Sequence, residues 1–388
     1  MASLETLKEL LDLPNRNQLF EKILTKFKEF CKLDDLHYLE FETSEGKVPI
    51  IIISKELDPN KVKFVKVFMG AQHNEYNGLF GILEFLNMIE TSKISINEIL
   101  LNFQILIFAP LMNPYGFLYP KQENKSGYFL ENGTNLNRYW RRTFVPEYNK
   151  RENDLNQFNI PEHARIIKNL LEKFWENEDI SIYILDFHET SLLKRFSTEL
   201  IENLNKDSIT YKFSHWLKEA IVYNIINLYN IPHFRKPLFY KCTPNTNHTH
   251  INLTTKQLDI IYERLKEYIA SNYKKLSFYF CYSDRSKKYC MKLAQNVYEK
   301  LKELLWETNF PAFNHHFNDH GCLVNMNDAT KRKNVYSMEL ESEKQFFNIF
   351  EEIEKSKKDT NYFKEKLEKV NASILLVIES IKEMIKLY

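Results

Sequence analysis

Four short segments of this 388-residue chain carry side chains that metal-assisted hydrolysis needs. In chain order they are Gln72-His73-Asn74-Glu75, Asn137-Arg138, His188 and Glu339. A hydrolytic zinc site uses three protein ligands and leaves one position for water. It also requires a carboxylate that accepts the proton of that water, and a cation beside the developing oxyanion. The four segments offer side chains for each of these roles.

Predicted strands end just before three polar segments. The apolar runs are residues 63–69 before Gln72, residues 101–110 before Asn113, and residues 180–187 before His188. Continuous apolar runs are typical of strands that are buried on both faces. Helical patterns alternate with these strands, which predicts a mainly parallel sheet with helices on both faces. Because functional groups lie at the carboxyl ends of the strands in such sheets, the three segments are expected to converge.

The other patterns extend this sheet. Residues 36–43 and 48–54 predict a hairpin with its turn at Ser44-Glu45-Gly46. Two further strands are predicted at residues 277–282 and 334–341, with a helix over residues 284–306 between them. The fold class is therefore α/β, with a mixed, mostly parallel sheet sandwiched by helices.

The domain organisation follows from changes in pattern along the chain. N-terminal helices are predicted in residues 1–35, and a catalytic domain in residues 36–341. A mainly helical insertion at about residues 190–275, with a short strand at 231–240, interrupts this domain. Residues 342–388 predict a charged C-terminal helical tail that packs on its own domain or forms an oligomer contact.

Five motifs occur in the order found in carboxypeptidase A-like zinc metallopeptidases. They are Gly70-Ala71-Gln72-His73-Asn74-Glu75, Asn113-Pro114-Tyr115-Gly116, Asn135-Leu136-Asn137-Arg138, Asp186-Phe187-His188 and Glu339. Over residues 38–341 the chain resembles this family, with some likeness to its aspartoacylase and succinylglutamate desuccinylase branch. The stretch from Leu185 to Thr190 and the short spacing between the second and third motifs carry that likeness.

The resemblance implies a role for each motif. Glu75 and His188 would bind one Zn²⁺ ion, and Glu339 would be the general base and acid. Asn137 and Arg138 would hold the substrate's carboxylate, and Arg138 would also assist catalysis. The alternative interpretation of these two residues is that they belong to an ordinary surface loop. Arg142, beside Arg141, and Lys125 would add positive charge to the substrate pocket. Glu341 competes with Glu339 because both lie on one face of the predicted strand.

One ligand position departs from the family pattern, because Gln72 stands where the family has its first zinc-binding histidine. A neutral amide oxygen is a weaker zinc ligand than imidazole. The alignment that deletes one residue makes His73 the ligand instead, and the third alternative is that no metal binds. The usual aspartate of the third motif is Asn135, and no arginine lies between Phe117 and Asn137. Lysine supplies charge there but not a bidentate fork.

The expected activity is zinc-dependent hydrolysis of the C-terminal amide bond of a peptide. The alternatives are an N-acyl amino acid deacylase and an inactive carboxylate-binding protein. The substrate is expected to be a peptide or N-acyl amino acid with a free carboxylate. Metal-like histidines elsewhere, at His248, His250, His315, His316 and His320, are interpreted as polar groups of loops.

Composition excludes several other classes. Lys and Arg number 53 against 52 Asp and Glu, so no basic excess favours a nucleic-acid partner. No apolar run reaches the roughly 18 residues of a membrane span. The five cysteines are scattered, which is not a disulfide framework, and the charged N-terminus does not resemble a signal peptide. A cytoplasmic location, without membrane association, is expected.

Overall fold

The computed structural model describes most of the chain. The described residues are 15–55, 58, 60–72, 74–100, 103–119, 121–122, 125–126, 129–145, 160–204, 210–213, 216–231, 249–252, 255–308, 312–314, 322–324, 326, 330, 332–345, 351, 358 and 360–387.

Twelve strands lie within the described residues. They are β1 (Leu36–Thr43), β2 (Gly46–Ile53), β3 (Phe64–Met69), β4 (Gln104–Ala109), β5 (Lys121–Gln122), β6 (Lys125–Ser126), β7 (Ser181–Thr190), β8 (Thr210–Phe213), β9 (Thr249–Asn252), β10 (Phe278–Tyr282), β11 (Ala312–Asn314) and β12 (Val335–Glu343).

Eleven α-helices accompany these strands in the same part of the chain. They are α1 (Arg16–Phe30), α2 (Asn77–Glu90), α3 (Ile96–Ile99), α4 (Pro114–Leu118), α5 (Trp140–Phe144), α6 (Glu162–Trp175), α7 (Leu192–Leu204), α8 (Trp216–Leu228), α9 (Thr255–Asn272), α10 (Lys287–Leu301) and α11 (Thr360–Ile385). A short 3₁₀ helix covers Leu136–Arg138.

Eight strands form one mixed sheet in the order β1-β2-β4-β3-β7-β12-β10-β11. The centre of the sheet is parallel, because β4 pairs with β3, β3 with β7 and β7 with β12 in the same direction. The β1–β2 hairpin and the β12–β10 pair are antiparallel. The predicted α/β fold, with a mixed and mostly parallel sheet between helices, is confirmed.

The predicted strand positions agree closely with the observed ones in the sheet's centre. The runs at residues 64–69 and 104–109 are apolar except for Lys66 and Gln104, and they form β3 and β4, whose side chains are almost all buried. The largest difference is at β7, which continues three residues beyond the predicted end at residue 187 and includes Asp186 and His188. Residues 232–240 of the predicted short strand lie outside the described residues.

Helices cover both faces of the sheet. On one face, α1, α2, α10 and α11 share a single core with the inward side chains of β7, β10 and β12, such as Leu185, Phe280 and Leu340. On the other face, α6 and Trp140 pack on β3 and β4. The insertion helices α7, α8 and α9 form a third core with Tyr279 and Cys281 of β10. The second face therefore carries two separate apolar clusters side by side.

The C-terminal helix is part of the first core. Ile374, Ile378 and Ile381 of α11 are fully buried there. The helix lies so close to α2 that a Cβ added at Gly81 would come 2.3 Å from Val377 Cγ1. Glycine at position 81 therefore permits this packing. The domain boundaries and an oligomer contact through the C-terminal helices remain predictions.

Candidate functional site

Polar side chains gather between the two apolar clusters of the second sheet face. In the parallel β7–β12 pair, Asp186 lies beside Glu339 and His188 beside Glu341. Neighbouring residues of a strand point to opposite faces. Met338 and Leu340 therefore enter the first core, while Glu339 and Glu341 lie on the opposite face with Asp186 and His188. The register of two strands, rather than a loop, thus brings these ionisable groups together.

His188 is held between two carboxylates. Its Nδ1 lies 2.9 Å from Glu75 Oε2, and its Nε2 lies 2.8 Å from Asp186 Oδ2. A neutral imidazole has only one N–H, so one nitrogen presents a lone pair to a carboxylate oxygen. This ring nitrogen and the carboxylate oxygen that it faces are both acceptors, so they require a proton or a metal ion between them. Burial opposes the imidazolium, but Asp186 and Glu75 outweigh it and raise the pKa of His188 well above 6.5.

The amide of Gln72 is fixed by two partners of opposite kinds. Trp140 Nε1 donates to Gln72 Oε1 at 2.8 Å, and Gln72 Nε2 donates to Asp186 Oδ2. Because an indole N–H only donates and an ionised carboxylate only accepts, these partners assign the amide orientation. Carbonyl oxygens have two lone pairs, so one remains on Oε1 after the bond from Trp140. His73, the alternative ligand, lies outside the described residues.

Glu339 lies beside the imidazole, with its Oε1 3.8 Å from His188 Nε2. Asn137 Nδ2 lies 3.4 Å from the same oxygen and 3.3 Å from His188 Nε2. Burial raises the pKa of Glu339 to about 7, against the lowering effect of His188. Burial also raises the pKa of Glu341 to about 8, although part of this side chain is exposed. Glu339, which is 3% exposed, is the carboxylate nearer to Asn137.

The predicted substrate-binding residues are only partly brought together. Asn137 and Arg138 lie on the 3₁₀ helix, and Arg138 Nη1 donates to the Asn137 carbonyl oxygen at 3.0 Å. The charge of Arg138 lowers the pKa of Glu339, which places the guanidinium within electrostatic reach of the site. Arg142 lies on α5, partly buried. Lys125 lies in β6, and its side chain is outside the described part of the chain.

The Asn-Pro turn supports the loop that carries Gln72. Asn113 caps α4 by accepting a 2.7 Å hydrogen bond from the Gly116 backbone N–H. Its own backbone N–H donates to the Ala71 carbonyl oxygen at 2.9 Å. Ala71 has a φ of 48°, in the left-handed region that non-glycine residues seldom adopt. The turn therefore helps to hold a strained residue just before Gln72.

Three further residues contact the site or its loop and were not singled out by the motifs. Trp140 orients Gln72, Glu189 accepts hydrogen bonds from the backbone after Glu75, and Lys344 Nζ donates to the Asn74 carbonyl oxygen at 2.8 Å. Trp140 follows Arg138 by two residues, and Glu189 follows His188 directly. Trp140 and Glu189 could therefore have been suspected from the sequence, because each lies close to a motif residue. Lys344 offered no such signal.

The donor set fits a divalent cation. Two ligands of a tetrahedral zinc ion lie roughly 3.3 Å apart, so Glu75 Oε2 and His188 Nδ1 need to separate by only a few tenths of an ångström. Several carboxylates converge on one imidazole in a buried region, which leaves negative charge to be balanced. Asp186 Oδ1 is also buried without a hydrogen-bond partner.

A second donor group lies on the other side of the imidazole ring. Asp186, His188 and Glu339 each offer a ligand atom within 4.8 Å of the others, which makes them the one three-residue group of His, Cys, Asp and Glu with this spacing among the described residues. That set omits Gln72 and Glu75. His248, His315, His316 and His320 lie outside the described residues, and the backbone of His250 lies in β9.

Comparisons with known proteins give structural matches alone. No protein-family model matches the chain, and no curated protein matches it. Each helix in the described part of the chain is too short or too polar to span a bilayer.

Two of the matching solved structures come from Shewanella denitrificans and from cattle. One, described as "Putative carboxypeptidase A" from Shewanella denitrificans, is 12% identical, with a TM-score of 0.47, and the match covers 94% of this chain and 69% of that one. Bovine thrombin-activatable fibrinolysis inhibitor, solved with tick carboxypeptidase inhibitor, is 9% identical, with a TM-score of 0.46 and coverage of 97% and 99%. Similarities at this level do not establish an activity. Three of the matching structures are described as a putative carboxypeptidase A, a putative metallopeptidase and a metallo-carboxypeptidase.

Proposed function

We propose that this chain is a zinc-dependent amide hydrolase that removes the C-terminal residue of a peptide. The observation that carries the proposal is the position of His188 between Glu75 and Asp186, at 2.9 Å and 2.8 Å. One side of the ring needs a second proton or a metal ion, because a neutral imidazole supplies a proton to only one of the two carboxylates. A zinc ion meets this need and is the usual cation for a site of carboxylate and imidazole donors.

The Nδ1 side of His188 is the better position for the ion. There Glu75 Oε2 and His188 Nδ1 already face each other. The third donor would be Gln72 Oε1, which the resemblance to zinc carboxypeptidases assigns to this role and which keeps one lone pair after the bond from Trp140. Asp186 then accepts from Nε2–H, which fixes the tautomer and leaves the Nδ1 lone pair for the metal. On the Nε2 side the ion would use Glu339 as a ligand, and the site would lose its nearest general base.

Glu339 suits the proton transfers of hydrolysis near neutral pH. When bound, zinc acidifies a water molecule and polarises the carbonyl that is attacked. A carboxyl group whose pKa is about 7 both accepts a proton and returns it at this pH. Asn137 Nδ2, 3.4 Å from Glu339 Oε1, holds this carboxylate in place. Arg138 supplies the positive charge for the substrate's free carboxylate, through a bidentate pair that lysine cannot form.

Three substitutions, assayed for zinc and for turnover, test these roles. Glu75→Gln should weaken zinc binding by more than the roughly 10–100-fold that loss of an outer-shell partner causes, and Asp186→Asn by about that amount. Glu339→Gln should keep zinc but lower kcat by roughly 10²–10⁴. Glu299→Gln, at an exposed position on α10, is the control and should change neither quantity.

The same assay separates the alternatives. If Glu339→Gln weakens zinc binding as severely as Glu75→Gln does, Glu339 is a zinc ligand and the ion lies on the Nε2 side of His188. A wild-type protein that binds no zinc and hydrolyses nothing would refute the proposed enzymatic activity. The remaining alternative would be an inactive carboxylate-binding protein. Peptides and N-acyl amino acids are offered in parallel, and turnover of N-acyl amino acids alone would assign a deacylase.

A further inference from the structure

Glu189 holds the backbone immediately after Glu75. Its Oε1 accepts hydrogen bonds from the backbone N–H groups of Tyr76, at 2.6 Å, and of Asn77. The Tyr76 N–H belongs to the same peptide group as the Glu75 carbonyl. Glu189 is 2% exposed and lies on the face of β7 opposite to His188. Strand β7 therefore carries His188 on one face. On its other face it carries Glu189, which supports the backbone of Glu75, the carboxylate that contacts His188.

These bonds also start α2. Tyr76, the residue before the helix, makes no side-chain capping bond of its own. The first N–H groups of a helix need acceptors, and a negative charge there is favoured by the helix dipole. Glu189 supplies both from a neighbouring strand. The position of Glu75 relative to His188 thus depends on a side chain attached directly after His188.

Further buried hydrogen bonds close the same network. Asn77 Nδ2 donates to Ser342 Oγ at 2.9 Å, and Ser342 Oγ donates to the His188 carbonyl oxygen at 3.2 Å. Lys344 Nζ donates to Asn74 Oδ1 at 3.1 Å in addition to the Asn74 carbonyl. The backbones that carry Glu75 and His188 are therefore tied to each other through β12.

We propose that Glu189 is a positioning residue that sets the separation of Glu75 and His188 and thereby the affinity of the site for zinc. The proposal rests on the function proposed above, because it assumes that these two residues bind the metal. Outer-shell partners of metal ligands typically change affinity by roughly 10–100-fold when removed. Because Glu189 lies on the face of β7 opposite to His188 and bonds to the backbone after Glu75, its effect acts through Glu75.

The test compares three substitutions at one position by zinc titration of metal-free protein. Glu189→Gln keeps the acceptor oxygen and the shape of the side chain, and should hold the dissociation constant within about threefold of the wild type. Glu189→Asp withdraws the carboxylate by one methylene, and Glu189→Ala removes it. Both should raise the dissociation constant by roughly 10–100-fold.

A matched control separates positioning from a general loss of stability. Leu265→Ala leaves a cavity in the third core, on α9, and should lower the melting temperature without changing the zinc dissociation constant. All titrations are made at a temperature where each variant is folded. If Glu189→Ala does not fold, Glu189→Asp decides the result.

Three outcomes would contradict these claims. Zinc binding that is tight in the wild type and unchanged in Glu189→Asp overturns the positioning role alone. Equal weakening in Glu189→Gln and Glu189→Asp also overturns it, because the retained acceptor would then be irrelevant. A wild-type protein that binds no zinc overturns both this inference and the proposed function.

Discussion

The metal-free protein should lose stability as the pH rises from about 5 to about 8. Burial raises the pKa of Glu339 and of Glu189 to about 7 and that of Glu341 to about 8, and the carboxylates around His188 raise its pKa. Each of these groups binds protons more tightly in the folded chain than in the unfolded one. Burial lowers the pKa of His163 to about 4 and that of Lys66 to about 7, and these two groups act in the opposite direction. Because the four groups with a raised pKa outnumber them, the free energy of unfolding should fall with rising pH in this window.

Glu339 alone gives a measurable effect. The shift of its pKa from 4.5 to about 7 corresponds to about 3 kcal/mol, since each pKa unit is worth about 1.4 kcal/mol. That is a large fraction of the roughly 5–15 kcal/mol that stabilises a typical protein. Zinc supplies the missing positive charge without a proton, so it removes most of this cost. The stabilisation by zinc should consequently increase with pH.

Thermal unfolding of the metal-free and the zinc-loaded protein between pH 5.5 and 9 measures both effects. The melting temperature of the metal-free protein should fall by several degrees over this range. Titration calorimetry in two buffers of different ionisation enthalpy should show protons released on zinc binding at pH 6.5. Glu339→Gln should flatten the fall, because a neutral amide does not titrate.

Glu199→Gln is the control for these measurements. Hydrogen bonds from Lys218 and Arg195 lower the pKa of Glu199, so this group titrates only in acid and its replacement should leave the slope between pH 6 and 9 unchanged. A metal-free melting temperature that rises or stays constant from pH 6 to 8.5 would refute the reasoning. So would a zinc-induced shift that is the same at every pH.

Two other predictions concern packing and substrate binding. Gly81→Ala should force α2 and α11 apart, because the new Cβ would lie 2.3 Å from Val377 Cγ1. The free energy of unfolding, measured by urea denaturation, should fall by about 1–3 kcal/mol. An unchanged midpoint of the urea transition would contradict the observed packing. Arg138→Ala should raise KM by roughly 10–100-fold for peptides with a free C-terminal carboxylate, since it removes a charged hydrogen bond. Peptides amidated at the C-terminus are the control, and an equal effect on them would exclude the proposed role.

The centre of the sheet was predictable because the sequence of each strand is by itself typical of a buried strand, whatever strand it pairs with. Apart from Lys66 and Gln104, β3 and β4 are apolar on both faces, and polar loops follow them. The end of β7 was missed for a physical reason. Asp186, His188 and Thr190 are polar, and polar residues normally end a buried strand, but here they continue the pairing with Glu339–Glu343 of β12. Only the partner strand shows that this part of the chain is still in the sheet.

The site was predictable in its members but not in their contacts. Motif order indicates that Glu75, His188 and Glu339 belong together, and the structure places them around one imidazole. The two bonds made by Asp186 to His188 and to Gln72 depend on side-chain directions at the end of β7. Trp140 reaches Gln72 from a different segment. Such contacts depend on tertiary packing, which local sequence patterns do not specify.

Glutamine at position 72 suits its surroundings better than the family's histidine would. Trp140 offers only a donor and Asp186 only acceptors, so the side chain at position 72 must both accept and donate. Imidazole can do so, but it then uses both of its nitrogens and keeps no lone pair for a metal. An amide oxygen accepts from Trp140 and retains a second lone pair. In the proposed site, Gln72 would thus offer a donor to the metal while both hydrogen bonds are kept.

This argument predicts that restoring the family's histidine does not restore tighter zinc binding. Gln72→His should weaken zinc binding by about tenfold, the lower end of the effect of disturbing a ligand's hydrogen bonds. Gln72→His combined with Trp140→Phe should bind zinc more tightly than either single variant, because loss of the indole N–H frees one imidazole nitrogen for the metal. Zinc titrations of the four proteins form a double-mutant cycle, which isolates the coupling between the two side chains. Tighter binding in Gln72→His alone would show that Trp140 does not restrict position 72, and that glutamine there is merely a weaker ligand.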